Sequence, residues 1–101
     1  MKVLVGKVDD IKEGDMIHFE YKDKDILIAN INGKFYATSN ICKHAGASLH
    51  EGKLEGTNVT CPWHGAIWDI TTGNLVKFPM KLNPLERYDV IIEEDSIYID
   101  I

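Results

Sequence analysis

Apolar residues along this chain come in short bursts separated by polar turns, and no burst has the length or the 3.6-residue period of a long helix. Residues 2–8 are rich in Val and Leu and predict a strand. After the polar turn Lys12-Glu13-Gly14-Asp15, residues 16–21 alternate, with Ile17, Phe19 and Tyr21 on one face. A charged turn at 22–24 leads into the apolar run 26–31, and 34–38 follows beyond Asn32-Gly33. An Asn-Gly pair between apolar runs predicts a two-residue hairpin, because a type I′ turn needs positive φ at both central positions. Near the end of the chain, 88–93 and 96–101 alternate on either side of Glu94-Asp95 and predict a second hairpin.

The middle of the chain breaks this rhythm. Five of the eight glycines (Gly46, Gly52, Gly56, Gly65 and Gly73) fall between residues 39 and 73. Residues 58–61 and 66–70 predict short strands, Thr71-Thr72-Gly73 a turn, and 78–85, with Pro79 and Pro84, an irregular loop. The expected architecture is all-β: one domain over 1–101, with short antiparallel strands interrupted by a loop-rich insertion. At 101 residues the hydrophobic core is modest, and a chain of this size gains from an additional constraint such as a metal site.

Composition narrows the function. With 45% hydrophobic and 27% charged residues, the chain has the make-up of an ordinary globular domain. The net charge of -5 argues against a nucleic-acid binder, which presents a basic patch, and against adhesion to an anionic membrane. It is compatible with transient docking on a basic partner surface. The N-terminal apolar stretch is too short for a signal peptide and no run has the length of a membrane span, so the expected location is the cytoplasm.

Both cysteines of the chain lie in the insertion, each followed closely by a histidine: Cys42-Lys43-His44 and Cys61-Pro62-Trp63-His64. Thiolate and imidazole together suit iron, zinc and copper. Inert buried cysteines beside incidental histidines are the bland alternative, and two such coincidences in one Gly-rich region weigh against it. Zinc fingers usually group the Cys pair and then the His pair. Here each loop supplies one Cys and one His, an order that suits a two-iron cluster gripped from two sides, with a Cys₂His₂ zinc ribbon as the rival. The remaining histidines, His18 and His50, read as surface residues. Trp63 and Trp68 read as cover for the metal centre or as core, with an exposed docking contact as the alternative for Trp63.

Cys42-x-His44 and Cys61-Pro62-x-His64-Gly65 resemble the two cluster loops of Rieske proteins. Leu49, Gly52, Trp68-Asp69 and Thr72-Gly73 agree with that family in the flanks, and Pro84-Leu85-x-x-Tyr88 does so more loosely. The resemblance is strong over about 40–73 and is greatest to small Rieske-type ferredoxins. It implies a β sandwich or barrel base with a cluster-binding subdomain at approximately 40–75, and a 2Fe–2S cluster held by Cys42 and Cys61 on one iron and His44 and His64 on the other. It also implies a one-electron carrier between a reductase and an acceptor such as an oxygenase, not an enzyme in its own right. High-potential members carry a second Cys in each loop, where this chain has Ala47 and Trp63, and place Ser and Tyr hydroxyls near sulfur, where it has Ala66 and Trp68. A potential low in the Rieske range is therefore expected.

Overall fold

The computed structural model describes residues 1–42, 46–63 and 65–101. Among the described residues ten strands form two antiparallel sheets. The larger sheet contains β1 (Lys2–Lys7), β2 (Met16–Tyr21), β3 (Lys24–Ile31), β4 (Lys34–Ser39), β9 (Arg87–Glu93) and β10 (Ser96–Asp100), in the order β1-β10-β9-β4-β3-β2. The smaller contains β5 (Lys53–Glu55), β6 (Asn58–Thr60), β7 (Ile67–Asp69) and β8 (Leu75–Lys77) in sequential order. The chain enters the small sheet from the end of β4 and returns to the large one at β9.

The apolar pattern explains this division. Alternation places Val3 and Val5 of β1, Ile17 and Phe19 of β2, Val90 of β9 and Ile97 and Ile99 of β10 in one hydrophobic cluster. Both edge strands contribute to that cluster, so the six-stranded sheet curls around it into a nearly closed, barrel-like wall. Strand β3 behaves differently, because its residues from Ile26 to Ile31 are all buried. Ile26 and Ile28 face the barrel interior, while Leu27, Ala29 and Ile31 face a second core. A strand covered on both faces needs a continuous apolar run, and 26–31 supplies it with the single polar exception of Asn30. The second core lies between the base and the small sheet and contains both cysteines.

The hairpin expected at Asn32-Gly33 is present, with φ of 55° and 85° at the two residues. Strands β2, β3, β4, β9 and β10 lie within two residues of their expected bounds. Two three-residue strands, β5 and β8, and two short 3₁₀ turns, Val8–Asp10 and Leu49–Glu51, were not legible in the pattern, since three residues carry no measurable period. Among the described residues no helix is long and apolar enough to cross a membrane.

Candidate metal centre

Cys42 follows β4 by three residues, and Cys61 follows β6 immediately. Their loops have the same hydrogen-bonded build. In the first, the Cys42 N–H donates to the Ala47 carbonyl at 2.8 Å and the Gly46 N–H donates to the Cys42 carbonyl at 2.9 Å. In the second, the Cys61 N–H donates to the Ala66 carbonyl at 2.7 Å and the Gly65 N–H donates to the Cys61 carbonyl at 3.2 Å. Each loop is thus closed from its Cys to the residue five positions later. The glycine before that residue has φ of 74° in one loop and 76° in the other, a left-handed conformation that side chains rarely adopt. The repeated pattern Cys-x-x-x-Gly-Ala is present in the sequence, and comparing the loops by their glycines, not their histidines, makes it visible. Ala47 and Ala66, the residues that close the two loops, are both buried in the core that contains the cysteines.

One close backbone approach and a set of hydrogen bonds hold the loops and their cover together. Gly52 lies against β6: a Cβ there would sit 1.9 Å from the Thr60 carbonyl oxygen, one residue before Cys61. Only glycine lets the strand that leaves the first loop approach the strand that enters the second. At the end of β7, Asp69 Oδ1 accepts from the Thr71 N–H at 2.9 Å and from the Thr71 hydroxyl at 2.7 Å. Gly73, at φ 80°, then accepts from the Leu85 N–H at 2.8 Å, and the Arg87 guanidinium donates to the Thr71 carbonyl at 2.9 Å. These bonds fix the irregular segment 78–86, whose Phe78, Leu82 and Leu85 pack on the core that contains the cysteines.

Asn40 anchors the first loop to the base. It is fully buried. Its N–H donates to the Asp25 carbonyl at 2.9 Å, and its own carbonyl accepts from the Leu49 N–H at 2.7 Å. Its side chain accepts from the His50 N–H at 2.8 Å and donates to His50 Nδ1 at 2.9 Å and Asp25 Oδ1 at 3.2 Å. The His50 ring stacks on His18 with centroids 4.2 Å apart. His18 is exposed as expected, whereas His50 is half-buried and serves as a partner for Asn40. Nothing in the sequence pattern singles out Asn40.

Cys42 and Cys61 are both buried at 2% exposure and belong to one hydrophobic cluster. His44 and His64, the expected imidazole ligands, lie outside the described residues. Trp68 is in the core with Cys42 and Cys61, while Trp63 is 62% exposed, so the reading of Trp63 as core is corrected. Trp68 also carries the feature that tests whether a cluster fits. Its indole Nε1 is fully buried and finds no hydrogen-bond partner among the described residues. An unsatisfied buried donor costs about 1–3 kcal/mol, so a native fold retains one where an acceptor belongs. Two buried soft ligands on matching loops, with an unanswered donor in the same core, fit a sulfur-containing group.

A β base, a small second sheet and paired Cys loops define an iron–sulfur protein of the Rieske type. The chain belongs to that family: the Rieske [2Fe-2S] domain model matches residues 1–89, and a 2Fe–2S cluster is its cofactor. The chain is 38% identical over 102 residues to the ferredoxin component of the p-cumate 2,3-dioxygenase system of Pseudomonas putida, covering 97% of this chain and 86% of that one. It is 37% identical over 99 residues to human apoptosis-inducing factor 3, where it covers 98% of its own length and spans only 16% of the relative. Among solved structures it superposes on a chain from the complex of reduced oxygenase and oxidized ferredoxin in carbazole 1,9a-dioxygenase, with a TM-score of 0.92, 28% identity and coverage of 97% and 91%.

Proposed function

We propose that this protein is a one-electron carrier, a ferredoxin component that takes an electron from a reductase and passes it to an acceptor such as an oxygenase. The observation that carries the reading is the pair of identically closed Cys loops, which present two buried Cys side chains from one core. In this reading Cys42 and Cys61 hold one iron and His44 and His64 hold the other. The cluster supplies one-electron redox chemistry when bound. The chain's own contribution is to fix the ligands, exclude water behind them and leave a contact face. Ala47, Ala66, Leu49 and Val59 make the space behind the cysteines dry. Trp63, exposed and next to His64 in the sequence, offers a partner an apolar contact. Residues from approximately 40 to 75 form the cluster-binding part, and the protein acts in the cytoplasm.

The potential is placed at the low end of the Rieske span of about −150 to +300 mV. Ala66 has no hydroxyl to donate to sulfur, and Ala47 and Trp63 stand where a disulfide would close the loops. Purified protein should be red-brown and contain two irons and two acid-labile sulfides per chain. Cys42→Ser and Cys61→Ser should each abolish normal assembly, because thiolate is the required soft ligand. A colourless protein with one zinc per chain would overturn the assignment. Voltammetry giving a potential above about +150 mV, in the upper part of the family's range, would overturn the low-potential reading.

A further inference from the structure

Trp68 is the largest side chain in the molecule that is fully buried, and its indole Nε1 has no partner among the described residues. If Trp68 served only to fill space, a phenylalanine would do so without an unsatisfied donor. The register shows what the indole faces. Val59 of β6 pairs with Trp68 of β7, and the Cys61 N–H to Ala66 carbonyl bond continues that pairing two residues further. Directly opposed residues share a face of the sheet, so Val59, Cys61, Ala66 and Trp68 all point the same way. Burial agrees: these four are buried, while Thr60, Ile67 and Asp69 between and beside them are only half-buried. Cys61 is therefore the diagonal neighbour of Trp68 across the strand pair. Such neighbours lie about 7–8 Å apart, within the reach of an aromatic side chain.

We infer that the Trp68 Nε1–H donates a hydrogen bond to a sulfur of the 2Fe–2S cluster on its Cys61 side. The inference rests on the reading of Cys61 as a cluster ligand. Sulfur carries more negative charge in the reduced cluster, so a donor aimed at it favours reduction. Trp68 lacks a Tyr hydroxyl, but its indole is a donor in its own right, so the expected low potential rests on Ala66 and on the absence of a disulfide at Ala47 and Trp63. Trp68 is a positioning and tuning residue, and it partly offsets what Ala66 lacks.

The test is a potential and a spectroscopic signature. Trp68→Phe, purified with two irons and two sulfides per chain, should lower the potential by about 59 mV, equivalent to a tenfold shift in the one-electron equilibrium. Independently, protein with indole-¹⁵N tryptophan and Trp63→Phe leaves Trp68 as the single labelled indole. Pulsed EPR of its reduced cluster should show a ¹⁵N coupling and an exchangeable proton on the same group. This second measurement needs no change at Trp68 and decides the question even where Trp68→Phe does not assemble. An unchanged potential in an intact Trp68→Phe cluster, or no ¹⁵N coupling in the labelled protein, overturns the inference. Wild-type protein without two irons and two sulfides would instead overturn the cluster-ligand reading beneath it.

Discussion

At the scale of single residues, the site depends on side chains that are absent. A methyl group at Gly52 would collide with the Thr60 carbonyl at 1.9 Å, and backbone on both sides leaves no easy relief. Gly52→Ala should destabilise the fold by about 1–3 kcal/mol, the usual cost of overpacking, and urea denaturation measures it. Gly65→Ala meets no neighbour within 4 Å but must hold φ at 76°, so its cost should be nearer the roughly 1–2 kcal/mol of left-handed backbone alone. Ala66→Ser places a hydroxyl on the Cys61 face and should raise the potential by tens of millivolts to about 100 mV, as a hydrogen bond to a charged acceptor of about 1.5–3 kcal/mol allows. A lower potential in voltammetry would mean the hydroxyl turns away from sulfur.

Tyr88 titrates abnormally for reasons equally local. Burial first, then the nearby Glu86 carboxylate and the 3.2 Å hydrogen bond to it, hold its phenol above the ordinary tyrosine pKa. A raised acid pKa in the folded state favours the neutral phenol there. Its contribution to stability is fully present below the ordinary value of about 10 and is lost as pH rises through the folded value. Thermal unfolding followed from pH 9 to 11 should show a smaller loss of Tm in Tyr88→Phe than in the native protein.

At the scale of elements, turn chemistry sets the register of the base. Asn32-Gly33 adopts left-handed backbone at both positions, for which the pair is suited. Glu94, in the β9–β10 turn, holds φ of 57° without that suitability. Glu94→Asn should therefore raise stability by a few tenths to about 1 kcal/mol, since left-handed backbone costs an ordinary residue about 1–2 kcal/mol. A chemical denaturation midpoint that falls would show that Glu94 makes a compensating contact.

At the scale of the molecule, Asn40 is where the base meets the cluster loops. Asn40→Ala removes the side-chain bonds to His50 and Asp25 and leaves the half-buried His50 N–H without its acceptor. A loss of about 1–3 kcal/mol is expected, with faster bleaching of the visible spectrum on warming. A spectrum that bleaches at the native rate would show that the loop is held without this anchor. The net charge of -5 acts over the whole surface, so partner binding should weaken as salt rises and the charges are screened.

Much of this was legible without coordinates because it is local. Alternation in 16–21, the Asn32-Gly33 turn and the Cys-His spacing are properties of neighbouring residues, and they marked the base strands, the hairpins and the candidate cluster loops. What only the tertiary structure decided involves partners far apart in the chain. The run 26–31 reads simply as apolar, but it separates two cores only because the small sheet folds back against β3. Asn40 is an ordinary loop residue until Asp25 and His50 close around it. Trp68 reads as one more large core side chain, and its N–H emerges as lacking a partner among the described residues only when the acceptors that folding brings near it are accounted for. Periodicity records which face of an element is apolar; which distant groups that face will meet is decided by packing.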